Sequence, residues 1–539
     1  MRSLARILTP FPFIFLGLLI LHFPLLRLPY FWDEAGYYIP AALDFYRHGL
    51  LIPRLTLPTG HTPLVMVYLG AAWHLFGFSE LTTRTAMILI AAATVVITYA
   101  LGRRVARREA GIWAAILLAL SPLFFAQSSL VFLDLTAALF TTLAIFFVLN
   151  GRWGMFAVAA SLAVLSKETA IVMLGAVWAF MLFRRKERRV NPWALSAIPF
   201  IPLIVWAIYY HSRTGFWTGN AGYLQYNLYS AFTPLHVCRS LLARLAEVFF
   251  QGFNWLIVLA AAAGTWWARR KRRLPACSEG RGFNPAGKRA KINLSLFLWP
   301  FAAGLKPRPS SAFSRWAFED DFGNFLFLTL ALIAVYVLML SAVGGAILPR
   351  YMLPVFPVFF VLATAFIGQL PKRAARPVCL IIAACFVTAW FINPPYPFPY
   401  EDNISYAHFV RLHEHAARYL ESLPDNPVIL TAWPATDELK QPFLGYVTRP
   451  LRVLPVENFR PGDFTRAGHF DVVYLYSREW TPPRNLLTAF VRIRAFSSRF
   501  YDYQAPAQPA ALASRFHLKL VQEFRNHGQW VRIYTRNQH

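Results

Sequence analysis

The chain has 539 residues, of which 57% are hydrophobic, 16% aromatic and only 15% charged. That is more apolar surface than one water-soluble core can bury, so a lipid bilayer is the expected solvent. Its 53 Lys and Arg against 26 Asp and Glu leave a net charge of +27, but the basic residues sit in short clusters between apolar runs rather than on a polar face interleaved with aromatics, which argues against a nucleic-acid partner. The four cysteines, Cys238, Cys277, Cys379 and Cys385, show no spacing that would build a disulfide framework or a metal-binding pair.

The first apolar run, residues 8–28, follows Arg2 and Arg6 and leads into Pro29-Tyr30-Phe31-Trp32 rather than a small-residue cleavage site. It reads as a retained span, not a signal peptide. Further apolar runs fall at 81–101, 110–126, 130–149, 154–167, 169–183, 193–210, 246–268, 324–345, 351–370 and 376–392, several of them at or just under the roughly 20 residues that cross a bilayer as a helix. Four basic clusters set the orientation: Arg103, Arg104, Arg107 and Arg108; Arg184, Arg185, Lys186, Arg188 and Arg189; Arg269 through Arg273; and Lys372, Arg373 and Arg376. With a cytoplasmic N-terminus, all four lie inside. Residues 29–80 then form an outer loop with interfacial amphipathic helices, and 269–322 a basic cytoplasmic loop.

After residue 393 the pattern changes. Asn393-Pro394-Pro395-Tyr396-Pro397 is a turn-rich break; Tyr406 to Leu420 has the period of an amphipathic helix, and Val428–Thr431, Leu451–Val456 and Asp471–Tyr476 read as short strands. Leu518–Phe524, Asn526-His527-Gly528 and Trp530–Thr535 spell a hairpin. The expected fold is an α-helical polytopic membrane protein of about eleven spans, with a membrane module over 1–393 and a soluble α/β domain over 394–539 on the outer side.

This threading gathers chemistry at one interface: Trp32-Asp33-Glu34-Ala35-Gly36-Tyr37-Tyr38 after the first span, Asp134 within Leu130-Val131-Phe132-Leu133-Asp134-Leu135, Lys167-Glu168 between two apolar runs, and Arg350-Tyr351 at the start of another. An ionised aspartate costs about 2.5–3.5 kcal/mol at the centre of a span, so Asp134 in an apolar run points to a polar cavity. Plainer readings exist: Asp33 and Glu34 as solvated loop carboxylates, Lys167 and Glu168 as an ion pair with each other at a hairpin tip, Arg350 as a snorkelling side chain. His408, His413 and His415, on an expected solvated helix face, read as structural rather than as metal ligands.

The stretch Phe31 to Tyr38, Gly60-His61-Thr62-Pro63-Leu64, Phe76-Gly77-Phe78-Ser79-Glu80 with Arg84, Leu133-Asp134, Ser166-Lys167-Glu168-Thr169 and Pro349-Arg350-Tyr351-Met352-Leu353-Pro354 together resemble, in order, the GT-C membrane glycosyltransferases of the family 39 type, the group of protein O-mannosyltransferases and lipid A aminoarabinose transferases. The resemblance implies transfer of a hexosyl or pentosyl group from a polyprenyl-phosphate carrier to a lipid, glycan or protein acceptor, in a bacterial inner membrane. By the same resemblance Asp33 would be the base, with Glu34 and Asp134 beside it; Arg350, Lys167, Tyr351 and His61 would meet the donor phosphate, and Tyr37 and Glu168 would position the acceptor or the loop. At His61-Thr62-Pro63-Leu64 the chain departs from the Lys-Pro-Pro-Leu of the aminoarabinose branch, exchanging a permanent charge for an imidazole. No dedicated metal-ligand spacing is visible, although Asp33, Glu34 and Asp134 could gather a divalent ion if the fold brings them together. A secondary transporter or a membrane scaffold is the alternative class; a transporter should show two related halves, and none is apparent.

Overall fold

The computed structural model describes residues 9–183, 191–219, 234–273, 321–343, 346–393, 400–478 and 509–536. The cluster at Arg184 to Arg189, most of the basic loop expected over 269–322 and the proline-rich break after Asn393 lie outside them.

The described residues are mostly helical, and five helices are long and apolar enough to cross a membrane: Glu80–Val105, Pro192–Thr214, Pro234–Lys271, Asp321–Val343 and Pro349–Ile367. Glu80–Val105 shows how the sequence sets such an element. Ser79 caps it by accepting the Thr82 amide at 3.1 Å, Glu80 lies in its first turn and Arg103 and Arg104 in its last, so charges of both signs complement the helix dipole. Shorter apolar helices fill the bundle at Phe11–Leu21, Leu64–Phe76, Leu133–Leu149, Trp153–Ser166 and Glu168–Phe183.

Several apolar runs are broken where proline interrupts the backbone. The first becomes Phe11–Leu21 followed by a short 3-10 turn at Phe23–Leu25 containing Pro24. The run at 110–126 divides at Ser121-Pro122, and the run at 351–370 opens with a 3-10 segment, Pro349–Val355, before the helix Phe356–Ile367. A proline cannot donate its amide and fits the first turn of a helix, so each of these positions is also a restart.

The two ends of the bundle differ. At one end Arg104 pairs with Asp321 and reaches Asn150, and Arg376 pairs with Glu109 at 3.1 Å; these side chains are largely exposed. At the other end stand Asp134, Lys167 and Arg350, all buried. Above this second end runs the first loop, with a π-helical turn at Glu34–Tyr38 continuing into the helix Ile39–His48.

The C-terminal region holds a mixed five-stranded sheet of order β2-β1-β3-β5-β4, with β1 Ile429–Ala432, β2 Val453–Val456, β3 Val472–Tyr476, β4 Leu518–Asn526 and β5 Gln529–Arg536. β1 runs parallel to β2 and β3, and β3 and β4 are antiparallel to β5. β4 and β5 join through His527 and Gly528, both at positive φ, as a two-residue hairpin turn requires. The helix Ser405–Glu421 packs over β4 and β5. His413 departs from the expected solvated face: it is 1% exposed and bonded to Glu438 at 2.6 Å. It lies on the stripe of Phe409, Ala416 and Leu420, which the helix turns towards the sheet.

This region is bolted to the first loop. The Tyr30 amide donates to the Leu444 carbonyl at 3.2 Å, the Tyr446 hydroxyl to the Tyr30 carbonyl at 3.0 Å, and the Trp32 ring meets Trp433 and Phe409 edge-on. Gly36 is glycine for a steric reason, since a Cβ there would lie 2.7 Å from Trp433 Nε1.

Candidate active site

At the junction of the first span and its loop, Trp32 takes a positive φ of 49°, and the two carboxylates that follow it part company. Glu34 is fully buried. Its Oε1 accepts from Arg84 Nη1 and from the Val131 amide at 2.5 Å; its Oε2 accepts from Arg84 Nη2 at 3.0 Å and from the Phe31 amide at 2.8 Å. Arg84 spends its remaining reach on the carbonyls of Ser129 at 2.8 Å and Pro29 at 3.2 Å. Four polar contacts on a carboxylate and two backbone carbonyls on its arginine compensate the desolvation of a buried pair.

Asp33 instead keeps 19% of its side chain exposed and accepts from Arg350 Nη2 at 2.5 Å. Arg350 is nearly buried, its Nη1 lies 2.6 Å from Glu401 Oε1, its Nε 3.8 Å from Asp134 Oδ2, and its guanidinium sits 4.0 Å above the Phe132 ring. Asp134 in turn accepts from Lys167 Nζ at 2.6 Å, and that ammonium lies 4.0 Å from the Tyr351 ring centroid. Asp33, Asp134, Lys167, Arg350 and Tyr351 thus form one connected cluster, which Glu401 joins from the segment between the helices Lys372–Ala389 and Ser405–Glu421.

Lys167 and Glu168 do not pair with each other. Lys167 has extended backbone, φ −155° and ψ 125°, so consecutive side chains point to opposite sides. Lys167 reaches Asp134, and Glu168 takes the His61 imidazole, whose Nδ1 lies 3.0 and 3.1 Å from its two oxygens. His61 and Tyr37 line a cleft with Tyr38, Trp206 and Tyr210, and Tyr38 lies within electrostatic reach of Asp33, Arg350 and Asp134. Gly60 makes the cleft wall possible: its φ is +81°, and a Cβ would come within 2.3 Å of the Gly219 amide nitrogen.

Glu401 is the charged group of this cluster that sequence reasoning missed. Burial pushes its carboxyl up to about 7; Arg350 opposes that, and Asp33 and Asp134 add to it. The available signal was positional: Glu401-Asp402 follows an apolar run that exits on the same side as the run preceding Asp33-Glu34.

One oxygen each of Asp33, Asp134 and Glu401 is engaged by Arg350 or Lys167, and Glu34 is turned away to Arg84, so Asp33, Glu34 and Asp134 do not gather round one point. Among the described residues, no three His, Cys, Asp or Glu side chains converge as metal ligands.

Residues 60–210 match the family model of dolichyl-phosphate-mannose-protein mannosyltransferases, a segment that carries His61, Asp134, Lys167 and Glu168. No match was found among curated protein sequences. In structure the chain is similar to ArnT from Cupriavidus metallidurans: to its apo crystal structure with a TM-score of 0.53 and 13% identity, and to its crystal structure bound to undecaprenyl phosphate with a TM-score of 0.56 and 14% identity, each over 97% of this chain and 98% of that one. The chain therefore resembles that mannosyltransferase family in sequence over 60–210 and ArnT in fold over almost the whole length.

Proposed function

We propose that this chain transfers a sugar from a polyprenyl-phosphate carrier to a hydroxyl-bearing lipid, glycan or protein acceptor at the outer face of a bacterial cytoplasmic membrane. The observation that carries the reading is the Asp33–Arg350 pair, a partly open carboxylate on a buried guanidinium, set beside Asp134–Lys167. Undecaprenyl phosphate bound to the structurally similar ArnT supports a lipid-linked phosphate as the donor's leaving group.

The chemistry follows from the charges. An acceptor hydroxyl attacks the anomeric carbon, the bond from that carbon to the phosphate oxygen breaks, and the carrier departs as polyprenyl phosphate. The hydroxyl proton goes to Asp33. Negative charge grows on the leaving phosphate, where Arg350 and Lys167 meet it. While Arg350 holds Asp33, an oxygen of that carboxylate is occupied by the guanidinium. A phosphate that draws Arg350 towards itself frees that oxygen to accept the hydroxyl proton, so donor binding prepares the base. Tyr351 flanks both cations; His61, tied to Glu168, and Tyr37 border the cleft through which the acceptor reaches Asp33. In this reading Glu34 is the structural neighbour, holding the loop to Arg84.

The same reading takes the N-terminus as cytoplasmic, about eleven spans, a membrane module over 1–393 and an outer domain over 394–539. Incubating the purified full-length protein with a panel of polyprenyl-phosphate sugars and candidate acceptors, followed by mass spectrometry, tests the activity; no glycosylated product and no released polyprenyl phosphate across the panel defeats it. An impermeant thiol reagent applied to single cysteines replacing Asp33 and Arg185 tests the orientation, and labelling of both from the same side defeats that part.

A further inference from the structure

The reactive cluster holds three carboxylates, Asp33, Asp134 and Glu401, against two cations, Arg350 and Lys167. With all five ionised it already carries one excess negative charge, and a donor phosphate brings at least one more into a buried site where like charges are weakly screened. One carboxylate has to give way. Arg350 cannot respond, because a guanidinium stays protonated at any pH of interest.

Geometry distinguishes the three. Asp33 reaches solvent, with 19% of its side chain exposed, and must be ionised to accept a proton. Asp134 is held by Lys167 at 2.6 Å. Glu401 is 2% exposed, touches Arg350 Nη1 through Oε1, and its Oε2 is buried with no hydrogen-bond partner. A half-satisfied buried carboxylate is the least stable of the three in its ionised form.

We propose that Glu401 is a positioning residue acting through Arg350: ionised, it holds one edge of the guanidinium against the donor phosphate; protonated, it yields that edge, so that binding of the donor takes up a proton. This inference rests on the reading of the chain as a polyprenyl-phosphate-dependent transferase. The segment itself is anchored. Gln127 Nε2 donates to the Glu401 carbonyl at 3.0 Å, Gln251 Nε2 to Asp402 Oδ2 at 2.9 Å, and Asn403 Nδ2 to the Ile392 carbonyl at 3.1 Å. The response therefore belongs to the side chain rather than to the chain path.

The charged and titratable groups that face Glu401 are Arg350, Asp33, Asp134 and Tyr351, while neighbouring Asp402 interacts with Glu247, Arg350 and Gln251. Since the Glu401 carboxyl stands near 7, it is protonated below that pH and leaves Arg350 available, and it ionises and competes above it. Donor-phosphate affinity falls as pH rises through about 7. The second ionisation of a phosphate monoester, near pH 6, pulls the other way, but equally for any variant of the protein, so the difference between two proteins isolates Glu401.

The test is the affinity of the full-length protein in detergent for undecaprenyl phosphate between about pH 6 and about pH 8.5, for the native chain and Glu401→Gln. Relative to the variant, the native affinity should drop by up to about tenfold per pH unit above about 7, the slope of one linked proton, and near pH 8 Glu401→Gln should bind roughly tenfold more tightly. Parallel profiles, or a variant that binds more weakly at every pH, overturn the proposal. Should Glu401→Gln fail to fold, calorimetry of the native protein in buffers of different ionisation enthalpy decides: uptake of close to one proton per phosphate bound near pH 7.5 supports it, and none overturns it. Parallel profiles with sugar transfer retained sink Glu401 alone, whereas absence of undecaprenyl phosphate binding at every pH sinks the transferase reading and this inference with it.

Discussion

Asp33 and Glu34 are consecutive, both carboxylates, and each meets an arginine, yet the two ion pairs are built for opposite ends. Around Glu34 every oxygen has two donors, the arginine has two backbone carbonyls to spare, and solvent has no access. Around Asp33 the arginine is shared among three carboxylates at 2.5, 2.6 and 3.8 Å, and one side of the aspartate remains open. A satisfied pair has nothing to gain from a new ligand. A shared, over-subscribed arginine does, because an incoming phosphate offers bidentate geometry that crowded carboxylates do not. On the proposed function, the contrast separates a structural carboxylate from a reactive one without appeal to exposure alone.

The sharpest way to break this comparison is to remove only the charge of Asp33. Asp33→Asn keeps the size and most hydrogen bonds of the side chain, and loss of a general base lowers turnover by about 10²–10⁴. Thermal stability should hardly change, since the residue is part-exposed. Near-normal transfer by Asp33→Asn, measured with a verified donor and acceptor, would reassign the base.

The converse holds next door. Arg84→Ala leaves Glu34 buried without its counter-ion, and breaking such a pair costs about 3–5 kcal/mol. The expected readout is a large drop in the unfolding temperature in detergent, far exceeding that of Asp33→Asn. If Arg84→Ala unfolds like the native protein but loses transfer, the sealed pair is reactive after all. Between these two carboxylates and the sheet, Gly36→Ala sharpens the picture by forcing a methyl to 2.7 Å from Trp433 Nε1; overpacking of this kind costs about 1–3 kcal/mol. Combining it with Trp433→Phe should recover part of that loss, and no recovery would mean that the contact is not what constrains position 36.

Much of the fold was legible because it is local. The period of Tyr406 to Leu420 and the polar turn at His527-Gly528 announce a helix and a hairpin, found at Ser405–Glu421 and Leu518–Arg536. Asp134 was legible in part, since a carboxylate in an apolar run points to a polar surrounding; that Lys167 stands against it only the structure displays. What sequence could not display was who pairs with whom. Lys167 and Glu168 are adjacent in the chain but separated by an extended backbone, His413 looked solvated until the sheet covered its stripe, and Glu401 offered only its position after an apolar run. Its partner lies 51 positions earlier in sequence, brought close only by tertiary packing.

The smallest effect is expected where the comparison should vanish. Arg104 and Asp321 also form a tight arginine–carboxylate pair, at the opposite end of the bundle, but their side chains are 34% and 53% exposed. Water already solvates both, salt screens them, and exposed pairs contribute about 0–1 kcal/mol. Asp321→Asn should therefore shift stability by less than about 1 kcal/mol, with the shift shrinking as salt is raised, and it should leave transfer untouched because none of the reactive cluster lies at that end. A loss of transfer in Asp321→Asn with stability intact would mean that the two ends of the bundle are coupled, and that the division between a sealed, a shared and a solvated arginine pair does not describe how this chain distributes its work.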